Sequence, residues 1–348
     1  MSKNNDLDLK FGVKIPFSPL DKIYETASLA EKLNFDSIWS PDHLTGLNPH
    51  DRSAYSVWCL LSTIARETQS CMLGTSVTDC VRLNVAVLAQ TCMTIQEISR
   101  GRFILGIGCG EAQNTLPYGI NYDRKIKRLE EFIIGLRSLW SEEEVNFEGE
   151  FVKLSGAAVS PFPSKTIPIW IGANSPKTIE LTARIADGWL PLAIKFSPSD
   201  YASTLKIMQK SIKSKDSFEP ALFVHTLAEK NGDQVWKKIS EMGKLLLVMW
   251  IPEIFNKYGI VIPNEFRATQ LDYTKPKLQR LCELLNTLPD EPLYERFVAG
   301  TPDDCIEKIE EYTKAGVKHF VLSFLSPASM IIESIKYYSE KVVNYFRG

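Results

Sequence analysis

The stretch Arg102-Phe-Ile-Leu-Gly-Ile-Gly-Cys-Gly-Glu-Ala-Gln-Asn114 decides how this chain folds. Residues 103–107 form a short apolar run that breaks into Gly106, Gly108 and Gly110, with Glu111 and Asn114 directly behind. Such a run, closed by glycines, reads as a buried strand whose C-terminal end opens into a glycine-rich loop. Glycine lets backbone approach a flat or anionic group, and this loop carries one carboxylate and one amide beside it. Gly106-x-Gly108 begins like a dinucleotide fingerprint, but the third glycine would stand at position 111, which is Glu111. The Rossmann reading therefore fails. A carboxylate at that place repels a pyrophosphate and suits a proton relay or a hydrogen bond to a neutral ring.

Outward from this strand, strand-like and helix-like segments alternate to both ends. Strands are expected at 11–15, 37–39, 72–77, 103–107, 167–171, 188–190, 222–228 and 319–324, each leading into a helical pattern or the start of one. Helices are expected over 20–33, 55–68, 85–99, 123–140, 176–185, 199–212, 301–315 and 327–345, with a small hairpin around 147–151. Residues 230–290 read as a mainly helical insertion interrupted by Pro252, Pro263, Pro276 and Pro289. Eight strand–helix units in a chain of 348 residues indicate a (β/α)8 TIM barrel with insertions, spanning 1–348 as one domain. A doubly wound sheet is the rival. The barrel makes a sharp demand: residues that do chemistry lie just after strands, at the C-terminal rim.

Candidate residues do stand there. After the second strand come Asp42 and His43, stiffened by Pro41; imidazole is suited to proton transfer near neutral pH, and a neighbouring carboxylate can fix its tautomer. After the third are Ser76, Val77 and Asp79, at a strand end fit to border a flat ligand. After the fourth is the opening loop, with Cys109, Gly110, Glu111 and Asn114. After the fifth, Gly172-Ala173-Asn174-Ser175 runs straight into Pro176, and the free amides of that helix start suit a phosphate. Lys195 follows the sixth strand and can reach an anionic substrate; Arg296 precedes the last unit. Each motif also has a plainer reading, as turn, cap or solvated charge, and it is their shared place on one rim that favours chemistry. No second histidine stands at ligand spacing to His43, so no metal site is expected.

The bulk properties exclude much else. Hydrophobic residues at 44% and charged residues at 24% describe a globular chain with ample core. A net charge of −2 gives no reason to expect nucleic acid or an anionic membrane as partner. Residues 1–6 lack the apolar core of a signal peptide, and no apolar run approaches the roughly 20 residues of a membrane span. Seven cysteines without a C-x-x-C pair read as mostly buried free thiols of a cytoplasmic protein.

Taken together, Pro41-Asp42-His43, Leu73-Gly-Thr-Ser-Val-Thr78, Ser99-Arg-Gly-Arg102, Leu105-Gly-Ile-Gly-Cys-Gly-Glu111, Ala186-Asp-Gly-Trp189 and Gly300-Thr-Pro-Asp303 resemble the bacterial luciferase-like superfamily. The resemblance is to its deazaflavin branch, which uses coenzyme F420: methylenetetrahydromethanopterin reductases, F420-dependent glucose-6-phosphate dehydrogenases and phthiodiolone ketoreductases. It implies hydride transfer between F420 and an alcohol, carbonyl or methylene-pterin carbon. It further implies that His43 transfers a proton, that Glu111 is the second acid–base group, and that Asp42, Asp79, Cys109, Gly110 and Asn114 lie against the coenzyme. Ser76-Val77 would be a cis-peptide bulge under the ring, and residues 172–175 would hold the phosphate. Lys195 and Arg296 match two phosphate-binding cations of the sugar-phosphate dehydrogenases. The chain departs from those enzymes at Leu47, and from the methanopterin reductases at Lys14 and Glu111, where they carry glutamate and aspartate. A homodimer is the family's usual state, and the helical faces near Trp58 and residues 85–95 are where it would form. The rivals are an FMN-dependent monooxygenase on the same barrel and a catalytically silent coenzyme-binding barrel.

Overall fold

The computed structural model describes residues 9–348; the segment read above for a leader, residues 1–6, lies outside them. Eight parallel strands follow one another around a ring in chain order: β1 (Lys10–Lys14), β2 (Ser37–Ser40), β3 (Met72–Thr75), β4 (Phe103–Gly108), β5 (Ile169–Ile171), β6 (Gly188–Trp189), β7 (Glu219–Ala228) and β8 (His319–Phe324). Pairing of β6 with β7 and of β8 with β1 closes the ring. The helices between them lie outside: α1 (Leu20–Lys32), α2 (Val57–Glu67), α3 (Val85–Ile98), α4 (Lys125–Leu139), α5 (Pro176–Ile185) and α6 (Pro198–Met208). The insertion adds α7 (Gly232–Trp250), α8 (Lys275–Thr287) and α9 (Glu291–Arg296), and α10 (Pro302–Lys314) and α11 (Ile331–Tyr338) complete the ring. This is the TIM barrel that the strand count demanded.

The elements form where their sequences dictate. All six residues of β4 are buried, as a strand covered on both faces must be. α2 buries the stripe Val57, Leu60, Leu61 and Ile64 against the barrel. α3 starts where Asn84 Oδ1 accepts from the Ala86 amide, and α10 starts at the Thr301–Asp304 capping box with Pro302 in its first turn.

Two tryptophans fill the barrel interior. Trp39 and Trp170 lie with ring centroids 5.1 Å apart. Gly12 and Gly74 flank the first; a Cβ there would fall 2.7 Å from Trp39 Nε1 and 2.3 Å from Trp39 Cζ3. Gly188 does the same for Trp170, at 2.6 Å from Cδ1. Large residues on some strands thus fit against glycines on their neighbours, which is how a small ring packs solid. The polar tip is satisfied as well: Trp39 Nε1 donates to Ser37 Oγ at 2.7 Å, and that hydroxyl lies 2.7 Å from His319 Nε2.

Some boundaries differ from the sequence reading. The run 72–77 stops at Thr75 and resumes only at Thr78–Asp79, with a cis peptide between Ser76 and Val77. β7 starts at Glu219 and runs through Pro220, whose carbonyl still accepts from the Lys318 amide. Its far end outruns β8 and takes up a further short strand, Val298–Gly300, outside the ring. The last helix, expected over 327–345, is broken by a π-turn at Ser339–Val343 that keeps Tyr338, Val342 and Val343 fully buried.

The insertion builds an apolar cluster of its own around Ile239, Leu246, Phe255, Leu281 and Leu293. It is tied to the loop after β4: the Ala112 amide donates to the Ala268 carbonyl, and the Ala268 amide to the Met249 carbonyl. A wall is thereby fixed beside the barrel mouth.

Candidate active site

The loops after β2, β3, β4 and β5, together with the insertion, enclose a cleft of about 820 Å³ at the C-terminal mouth. It gathers Asp42, His43, Ser76, Val77, Asp79, Cys109, Gly110, Glu111, Asn114, Gly172, Asn174, Ser175 and Lys195. Two residues expected there do not line it. Ala173 is fully buried behind the wall, where its carbonyl accepts from Trp189 Nε1. Arg296 ends α9 and lies near Tyr312, the phenol that donates to the Phe196 carbonyl at 2.7 Å. It backs the loop that carries Lys195 rather than facing the cleft, and its Nε is buried without a partner.

The glycines of the opening stretch serve backbone packing first. A Cβ at Gly106 would sit 1.8 Å from the Thr75 carbonyl oxygen. At Gly108 and Gly172 it would meet the Val77 methyls at 3.1 and 3.2 Å. Three glycines therefore clasp the bulge after β3, leaving Val77 exposed to the cleft floor with the Ser76 hydroxyl buried and unpartnered beside it.

One residue that the sequence reading missed organises this side. Arg82 Nη2 donates to Asp42 Oδ2 at 2.6 Å while its Nε pairs with Asp79 Oδ2, and Thr78 Oγ1 donates to the same Asp42 oxygen at 2.6 Å. Burial pushes the Asp42 carboxyl up, opposed by Arg82 and the Thr78 hydroxyl. The guanidinium, planar and permanently charged, spaces the two buried acids. Its sequence signal was faint: a cation three residues beyond Asp79.

His43 is held from behind. Leu44 N–H occupies Asn114 Oδ1 at 3.0 Å, which turns the Asn114 amide nitrogen toward His43 Nδ1 at 3.1 Å. Gln113 Nε2 lies 2.9 Å from the same ring nitrogen and 2.9 Å from Glu111 Oε2. With two amide donors facing Nδ1, that atom carries the lone pair and the proton sits on Nε2. Burial, then Arg82 and Lys14, push the imidazole down to about 3, so it is neutral at pH 7. The 4.0 Å approach of His43 Nδ1 to Glu111 Oε2 is accordingly no ion pair; the Gln113 amide bridges it. Burial lifts the Glu111 carboxyl to about 7, against the Gln113 hydrogen bond. Glu111 is thus the group of the pair that changes charge near neutrality.

The opposite pole is cationic. Ser175 caps α5 with Thr178, their hydroxyls 2.9 Å apart, and Pro176 occupies the first turn. Asn174 Oδ1 is committed to the Leu192 amide at 2.9 Å. Around this start stand Arg124, Lys125, Lys127 and Lys177, all on the cleft. Lys125 and Lys127 sit in the first turn of α4 and Arg124 at its N-cap, where positive charge opposes the helix dipole. That misplacement was the readable sign of a role other than helix stability. The insertion contributes Met249, Trp250, Arg267, Ala268 and Thr269, which proline-interrupted sequence had concealed.

The residues present fit a flat ring lying on Val77 between Asp42, His43 and Glu111, with a phosphate at α5. The Luciferase-like monooxygenase family model matches residues 9–319, and the chain belongs to this family. It is 30% identical over 323 residues to the 5,10-methylenetetrahydromethanopterin reductase of Archaeoglobus fulgidus, covering 90% of this chain and 92% of that one. To the F420-dependent glucose-6-phosphate dehydrogenase of Nakamurella multipartita it is 29% identical, covering 98% and 97%. Among solved structures, an F420-dependent secondary alcohol dehydrogenase in complex with an F420-acetone adduct superposes with a TM-score of 0.80. That pair shares 21% identity over 96% of this chain and 98% of the other, a likeness of fold. Within the family the chain stands with reductases and dehydrogenases; it is an oxidoreductase.

Proposed function

We propose that the cleft binds coenzyme F420 and that the protein transfers a hydride between this deazaflavin and an alcohol, carbonyl or methylene-pterin carbon. When bound, the coenzyme supplies the hydride acceptor or donor. Val77, clasped by Gly108 and Gly172, offers the floor for the ring, and α5 with Lys177, Lys125 and Lys127 offers the phosphate site. Relatives named for F420 over nearly their whole length support the same coenzyme.

The carrying observation is the His43–Gln113–Glu111 cluster, in which one amide nitrogen faces both the imidazole and the carboxylate. His43, with Nδ1 held by amides, presents its Nε2–H to the substrate oxygen and orients it. Gln113 ties that ring to Glu111, whose carboxyl near 7 can gain or release a proton at working pH. The insertion brings Trp250 and Ala268 to one wall of the cleft. The partner this reading requires is a small molecule; no helix among the described residues is long and apolar enough to cross a membrane. A homodimer through α2 and α3 accords with the exposed Tyr55, Val87 and Ile98.

His43→Ala tests the assignment. Turnover should fall by about 10²–10⁴-fold while F420 affinity, measured by titration, changes little. Near-normal turnover would remove His43 from the mechanism.

A further inference from the structure

The barrel mouth has a third face, formed by β7, β8 and β1. Register places His225 beside Ser323, and Val13 beside Leu322, so that Lys14, Ser323 and His225 occupy one layer on three adjacent strands. Two residues earlier on the same strands stand Gly12, Val321 and Phe223. Val321 and Phe223 pack with Trp39 and Trp170 inside the barrel, and Gly12 abuts Trp39. Side chains two apart on a strand share a face. Lys14, Ser323 and His225 therefore also point inward, one layer nearer the mouth.

This layer is polar and incomplete. Among the described residues no carboxylate pairs with Lys14; its ammonium lies 4.3 Å over the Phe17 ring. His225 is 7% exposed, and its Nδ1 is buried with no hydrogen-bond partner. Ser323 is 5% exposed. At the other end of the barrel the comparable polar set, Ser37, Trp39 and His319, is bonded within itself. Buried polar groups in folded proteins are nearly always satisfied, so a cation without a carboxylate and an orphaned imidazole nitrogen, on the inward strand face one layer above the cleft-lining Phe223, ask for a ligand atom. Phe17 connects the layer to the chemistry: its ring lies edge-on to His43 at 5.3 Å.

We propose that Lys14, Ser323 and His225 form a subsite for the carboxylate of the substrate, so that the substrate is a small hydroxy acid or its oxo acid. This rests on the reading of the mouth as the hydride-transfer site. The donor set decides the class of ligand. Burial brings Lys14 down to about 8, which leaves it protonated at pH 7, and His225, pushed to about 3, is neutral. One positive charge with a hydroxyl and an imidazole matches a monoanion. A phosphate dianion finds its cations at α5 instead, and a neutral group would leave Lys14 uncompensated. With one aromatic ring between amine and imidazole, the carboxylate lies a few bonds from the carbon at His43. It takes no part in the reaction, and its oxygens only accept hydrogen bonds.

The test compares 3-hydroxybutanoate with its neutral isostere 3-hydroxybutanamide, with binding followed by saturation-transfer NMR on coenzyme-loaded and coenzyme-free protein. Charge-assisted hydrogen bonds favour the carboxylate by about tenfold or more. Lys14→Met should remove that preference and leave amide binding unchanged, while Lys14→Arg, with the charge restored, should retain it. A wild type that binds both probes equally, or neither, overturns the subsite, as does a preference that survives in Lys14→Met. Failure to bind F420 alongside a normal carboxylate preference would instead overturn the coenzyme reading alone.

Discussion

At the scale of single residues, the chemistry turns on which group changes charge. His43 lies between donors and is kept neutral, whereas Glu111 is lifted by burial to about 7 from its ordinary 4.5. A step that needs Glu111 as an acid should slow as pH rises through about 7, and a step that needs it as a base should accelerate over the same interval. Stability carries the same sign. A raised folded pKa contributes stability fully present below the unfolded value near 4.5 and lost as pH rises through about 7. Glu111→Gln should flatten both the pH–rate profile and the pH dependence of the melting temperature between those limits. A profile unchanged by the substitution would place the titrating group elsewhere. The shared cleft position of His43, Glu111 and Asp42 was legible because each follows a strand on the same rim, although each alone could be a turn or cap residue. Arg82 was not, since nothing local says that a cation in a loop lies between two buried carboxylates. Lys14 drew notice only as a departure from the methanopterin reductases; the ring of registers shows that it faces inward.

At the scale of elements, the opening stretch has two jobs, and the structure divides them. Gly106 and Gly108 admit the bulge after β3, and Glu111, Gln113 and Asn114 build the hydrogen bonds around His43. Gly106→Ala puts a methyl where a backbone carbonyl stands, 1.8 Å away. It should lower stability by about 1–3 kcal/mol, as overpacking does; chemical denaturation would check this, and an unaffected midpoint would mean the bulge is free to move. Strand positions read well from sequence because each apolar run is short, mostly buried and soon followed by proline, glycine or polar residues. The interruption at Ser76-Val77 could not be read from periodicity, because it is set by contact with Gly106, Gly108 and Gly172 on other strands. β7 starts at Glu219, three residues before the expected 222, because Pro220 lacks only the donor and its carbonyl still pairs. The anion site was expected only at the start of α5; the cations at the start of α4 that stand beside it came from the structure.

At the scale of the whole molecule, the barrel supplies a rigid ring and its loops supply three distinct faces around one mouth. α4 and α5 give a cationic pole, the loops after β2 to β4 give the His43–Gln113–Glu111 cluster and the Val77 bulge, and β7, β8 and β1 give a polar layer with an unpartnered imidazole nitrogen. The eightfold alternation made this frame legible from the sequence alone. The insertion was legible only as helical, because its prolines break the periodicity and its place is set by the contact of Ala268 with Ala112. The account stands or falls on what the mouth binds. Titration of the purified protein with F420, and separately with FMN, followed by absorbance and fluorescence, tests this most directly. The account predicts saturable F420 binding at micromolar concentration, with the bound coenzyme reduced or oxidised by a hydroxy acid or its oxo acid. A yellow protein that retains FMN, consumes oxygen and fails to bind F420 would contradict it.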